Sequence, residues 1–168
     1  ALGFANLQNI PAARTELKNL SIIYDTLTRQ KDAYKANQVD IQQKAAEAWI
    51  LLKEGKKSEA LQLMQLAADL ENKTQKRPVT PGEVVPATEL LGDMLLQLNE
   101  PGKALQAYEA DLADHPNRFN GLFGAASAAL KSNDAAKAAT YYQQLLSIAD
   151  SANSNRDELA IAKQYLKK

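Results

Sequence analysis

Pro86-Ala-Thr-Glu-Leu-Leu-Gly92-Asp-Met-Leu-Leu96, then Asn99-Glu-Pro-Gly-Lys-Ala104-Leu-Gln-Ala-Tyr108, is followed by Asn120-Gly-Leu-Phe-Gly-Ala-Ala126-Ser-Ala-Ala-Leu130, then Asn133-Asp-Ala-Ala-Lys-Ala138-Ala-Thr-Tyr-Tyr142. One pattern is written twice. Leu96 and Leu130, Ala104 and Ala138, Tyr108 and Tyr142, and Leu112 and Leu146 are each 34 residues apart. A fixed period of this length marks stacked supersecondary units, each too small to bury its apolar face alone. Within each copy the apolar residues recur at helical spacing, and Pro, Gly and Asn punctuate them. The spacing predicts helices over 86–98 and 101–114 in the first copy, and over 118–131 and 134–148 in the second.

Working outward, residues 1–8 read as the last turns of a helix, and Asn9-Ile10-Pro11 as a turn with Pro in a helical first turn. Ala13, Leu17, Leu20, Ile23, Tyr24 and Leu27 then lie on one face of a helix over 11–29. A turn is placed at 30–32. Tyr34, Val39, Ile41, Ala45, Ala48, Trp49 and Leu52 stripe the next helix, which Gly55 stops in a left-handed conformation. A helix over 58–71 follows. Residues 73–86 hold Pro78, Pro81, Gly82 and Pro86, which forbid a continuous helix. Ala60 and Ala104 are 44 residues apart, so this stretch inserts ten residues into the period. Val79, Val84 and Val85 are apolar enough for it to pack as a structural bracket. A polar stretch over 150–155 leads to a last helix, with Leu159, Ile161, Ala162 and Leu166 apolar, that seals the open end.

The bulk numbers narrow the function. The 168 residues carry 20 basic and 20 acidic side chains, so there is no basic excess for nucleic acid. Cysteine is absent, which excludes disulfides, thiol catalysis and Cys-based zinc sites. The one histidine, His115, stands at a helix end and reads as a C-terminal cap. Asp111 and Asp114, three apart, read as a solvated face. No phosphate loop, dinucleotide fingerprint, nucleophile elbow or calcium loop occurs. The expectation is therefore no enzyme, no metal and no cofactor. No apolar run reaches the length of a membrane span, and no signal peptide opens the chain. A soluble chain is expected, with its compartment unassigned. The abrupt start at Ala1 reads as a processed protein or a piece of a longer one.

The repeat resembles the tetratricopeptide repeat. That family favours a small residue in mid helix A, Ala early in helix B, an aromatic residue four positions later and a closing Pro. The first copy matches at Leu91, Gly92, Ala104, Tyr108 and Pro116, and the second at Ala126, Ala138 and Tyr142. The second departs at the closing Pro, where Asp150 stands. Both lack the early Trp, with Thr88 and Leu122 in its place. Ala48, Ala60 and Met64 mark a degenerate third copy, and Ala13 and Leu17 a partial fourth. More narrowly, the Pro-Val-Thr-Pro-Gly segment with Glu89-Leu-Leu-Gly-Asp-Met-Leu-Leu96, and His115-Pro-Asn-Arg-Phe-Asn120, resemble the C-terminal region of bacterial proteins with such repeats, mostly of unassigned function.

The resemblance implies an all-α, right-handed solenoid of helix-turn-helix repeats spanning 1–168 as one domain. Its repeats fall at 1–33 (partial), 34–72 (degenerate), 85–118 and 119–152, with a capping helix at 156–168. It implies a non-catalytic protein–protein interaction scaffold whose helices A line a concave groove. By register, Trp49, Lys53, Glu89, Asp93, Gln97, Asn120, Phe123, Ser127 and Lys131 face that groove, beside Gln42, Ala45, Leu52, Leu96 and Leu130. Family members that grip a C-terminal carboxylate place Lys and Asn where this chain has Glu89 and Asp93, so such a clamp is not expected. Trp49 and Phe123 with two acids between suit an apolar anchor beside an amine. A sensor of a cationic ligand is the alternative reading, and self-association through open solenoid ends a further one. The expected partner is another protein or peptide of unspecified identity.

Overall fold

The computed structural model describes residues 1–74, 85–149 and 154–167. Among them the fold is all-α, with nine helices and no strand. In chain order these are α1 (Leu2–Asn6), α2 (Ile10–Arg29), α3 (Ala33–Lys53), α4 (Lys57–Lys73), α5 (Ala87–Gln97), α6 (Pro101–Asp114), α7 (Phe119–Lys131), α8 (Ala135–Ala149) and α9 (Asp157–Leu166). The expected helices all form, and the turn at 30–32 falls where it was placed. Val79, Val84, the prolines at 78 and 81, Gly82, Asp150 and Lys168 lie outside the described residues. Val85 is exposed, and the rest of the bracket reading falls largely outside the described residues.

One backbone turn generates the pairing. Gln8, Gly55, Asn99 and Asn133 all have positive φ, at 58°, 84°, 61° and 61°. Each stands five residues before a fully buried alanine: Ala13, Ala60, Ala104 and Ala138. The left-handed residue ends the first helix of a pair and lets the chain reverse, as glycine and asparagine do at least cost. The alanine lies in the first turns of the second helix, fully buried, where a lone methyl takes little room. Local caps fix the starts. Asn9 Oδ1 accepts from the Ala12 N–H at 3.2 Å, with Pro11 in the first turn, and Asp32 Oδ1 accepts from the Lys35 N–H at 3.1 Å.

The chain divides into two compact units, residues 1–91 and 92–168. In the first, α3 packs against α2 and α4, and Ile41, Ala45, Trp49, Ile50, Ala60, Met64 and Ala67 form its interior. Two polar contacts join the end of α4 to the start of α5. Buried Glu71 accepts from the Ala87 N–H at 2.5 Å, and the Thr88 hydroxyl donates to Asn72 Oδ1 at 3.3 Å. Ala87 opens α5, so the Glu71 carboxylate serves as a helix cap supplied by another helix and sits at the positive end of the dipole. In the second unit, α7 packs between α6 and α8, and α9 lies on α8. Leu122, Ala126, Tyr142, Leu145, Leu159 and Ala162 form its core cluster.

Candidate functional site

The sequence reading places nine residues on one groove, and the structure separates them into two sets. Trp49 is 2% exposed, with its indole N–H in the interior of the first unit, and Lys53 Nζ lies over its ring at 5.7 Å from the centroid. Glu89 is 1% exposed. Neither is a surface group, so neither can greet a ligand as the register implied. For Trp49 the reason is that α3 is covered by α1, α2 and α4. Asp93 is half-buried and accepts the Tyr108 hydroxyl at 2.5 Å. Its carboxylate is committed to a buried tyrosine.

The second set stays at the surface. Gln97 is exposed at the end of α5. On α7, Asn120, Phe123, Ser127, Leu130 and Lys131 follow the spacing of one helical face. Asn120 and Lys131 are exposed at its two ends, Phe123 and Ser127 are half-buried along it, and Leu130 is 43% exposed. Phe123 is held from behind by Tyr142, ring centroids 6.1 Å apart and tilted by 57°, and Tyr142 by Tyr165 at 5.1 Å. The α7 sequence contains no Asp or Glu.

The register-based list misses α9. Arg156, its N-cap, donates from Nη2 to Asn120 Oδ1 at 3.1 Å and stacks 3.9 Å from the centroid of Phe119. Arg156 also pairs with Glu158 at 2.9 Å, and that hydrogen bond lowers the Glu158 carboxyl from its usual value. The signal was legible: Arg156, Lys163 and Lys167 are spaced seven and four apart, which is one helical stripe.

The acids of helix B also differ from expectation. Asp111 is buried, not solvated; its Oδ1 lies 2.9 Å from His115 Nδ1 and its Oδ2 4.0 Å from Arg118 Nε. Its position one period later is Leu145, itself in the core, which explains the inward direction. Asp114 is exposed. His115 is the C-cap residue of α6, as its place before Pro116 suggested. Across α6 and α8, Glu109 Oε1 accepts from Lys137 Nζ at 2.7 Å and from the Tyr141 hydroxyl at 2.9 Å. Burial, and then the Glu109 carboxylate, push the Tyr141 phenol up to about 12. The hydrogen bond to Glu109 raises the exposed Lys137 ammonium. Among the described residues no group of three or more His, Cys, Asp and Glu side chains is placed to hold a metal ion. No helix among them is long and apolar enough to cross a membrane.

Comparison with family models gives no match, and no curated protein matches the chain. Among solved structures, the crystal structure of PcrH from Pseudomonas aeruginosa matches with a TM-score of 0.58. The match covers 76% of this chain and 89% of that one at 19% identity. At that identity the likeness concerns the fold, a tetratricopeptide-like array of helix pairs.

Proposed function

We propose that this chain is a non-catalytic protein-binding scaffold that takes its partner on helix-A faces, with α7 as the principal one. The observation that carries this reading is the α7 stripe. Phe123 and Leu130 keep apolar surface in reach of solvent on a helix otherwise buried along its length, and Asn120, Ser127 and Lys131 frame them. A helix face that is apolar at its centre and polar at its rim has the make-up of a peptide-binding surface. Gln97 belongs to the same class of exposed helix-A residue. The reading of an amine-binding groove loses its support, because it drew on Glu89 and Asp93.

Site-specific photocrosslinking tests this. A benzoylphenylalanine replacing Ser127 on α7 is expected to capture a discrete partner in cell extract. The same group replacing exposed Thr140 on α8 is expected to capture none. Equal capture from the two positions would sink the assignment of the face.

A further inference from the structure

Resting on that reading, the charge pattern around α7 specifies the partner. Two contacts orient α9. Arg156 reaches α7 through Asn120 and Phe119, and on its other flank the Tyr165 hydroxyl donates to the Ala135 carbonyl on α8 at 3.3 Å. At 100° per residue, Lys163 and Lys167 share the Arg156 flank, the one toward α7. Lys131 closes the stripe on α7 itself. Lys131, Lys163 and Lys167 are exposed and form no ion pair among the described residues. Several acids described in this unit are occupied elsewhere: Asp93 by Tyr108, Glu100 by Lys103, Glu109 by Lys137 and Tyr141, Asp111 by His115, and Glu158 by Arg156. Asp134 accepts from the Lys137 N–H at the start of α8. Asp114 and Asp157 lie toward the opposite end, where α6 finishes and α9 begins.

We infer that the α7–α9 face binds an acidic peptide segment of a partner protein, with an apolar side chain seated at Phe123 and Leu130 and carboxylates facing Lys131, Lys163 and Lys167. Charge complementarity carries the choice. Three uncompensated ammonium groups beside an acid-free apolar stripe attract carboxylates and repel a cationic partner. The apolar anchor and the neutral charge of the whole chain favour a peptide over a nucleic acid.

Fluorescence anisotropy on the full chain decides it. Two short fluorescein-labelled peptides share one leucine and one phenylalanine and differ only in flanking glutamates or lysines. The glutamate peptide is expected to bind about tenfold tighter at low salt, with the advantage shrinking as salt rises. The combined change Lys131→Glu, Lys163→Glu and Lys167→Glu is expected to reverse the preference, while the uncharged change Leu130→Ser weakens both peptides. These positions are exposed, and unchanged circular dichroism and melting verify each variant. Equal binding of the two peptides, or binding of neither, overturns the inference. So does an oligouridylate that binds more tightly than the glutamate peptide. Tighter binding of the lysine peptide that Leu130→Ser still weakens would overturn the acidic partner and leave the α7 face standing.

Discussion

Tyr108 and Tyr142 stand at the same position of consecutive repeats, yet their surroundings differ. Tyr108 lies against two glycines: a Cβ at Gly92 would come within 2.8 Å of its ring, and one at Gly124 within 2.4 Å. Its hydroxyl is tied to Asp93, and one turn further along α6 the buried Asp111 meets His115. Tyr142 is packed by rings, Phe123 on one side and Tyr165 on the other, with Leu145 where the first copy has Asp111. One repeat holds its key aromatic residue by steric fit and a charged hydrogen bond, the other by apolar stacking. A repeat motif therefore fixes where the aromatic goes but not what stabilises it. The polar version commits the half-buried Asp93 to Tyr108, and the apolar version stacks Phe123 on Tyr142 while Leu130 stays exposed.

The comparison can be broken or sharpened by mutation. Truncating either ring, Tyr108→Ala or Tyr142→Ala, should cost about 3–5 kcal/mol by denaturant titration, since both sites are core. Next comes Gly124→Ala, expected to cost about 1–3 kcal/mol because the Tyr108 ring is fully buried and its hydroxyl is anchored. Full stability in that variant would mean that Tyr108 can retreat, contrary to the tight fit. Removing only the hydroxyl should separate the repeats: Tyr108→Phe loses about 1.5–3 kcal/mol with its hydrogen bond to a carboxylate, and Tyr142→Phe about 0.5 kcal/mol or less. Similar losses at both sites would erase the distinction.

The smallest effect is in pH. The folded-state pKa of Tyr141 is raised from 10.0 to about 12, so the native state holds its proton longer than the unfolded chain does. Its contribution is complete below pH 10 and is lost as pH rises toward 12. The stability difference between wild type and Tyr141→Phe, followed by thermal melting, should therefore shrink across that window and stay flat below it.

Most of the helical layout was readable because it depends on local rules. The left-handed stop at Gly55, the repeated small alanines and the 34-residue echo are visible in one dimension. The site was less readable. Asn120, Phe123, Ser127 and Lys131, which register from the resemblance put on one face, are at least partly exposed. The same register misplaced Trp49 and Glu89, because a helix face is buried or exposed according to which neighbours cover it. Asp111 was misread as solvated although its repeat partner Leu145 already pointed inward. The basic stripe on α9 was spaced legibly, but its relevance depends on which flank meets α7.

The sequence by itself determined that this protein is all-α, how its helices pair and which small and aromatic residues pack between them. Caps, turns and periodicity act over a few residues, and those interactions are written in neighbouring letters. Only the tertiary structure decided that Asp93 serves Tyr108, that Trp49 and Glu89 are interior, and that Arg156 brings the basic flank of α9 to α7. Those outcomes depend on burial and on contacts between residues far apart in the chain.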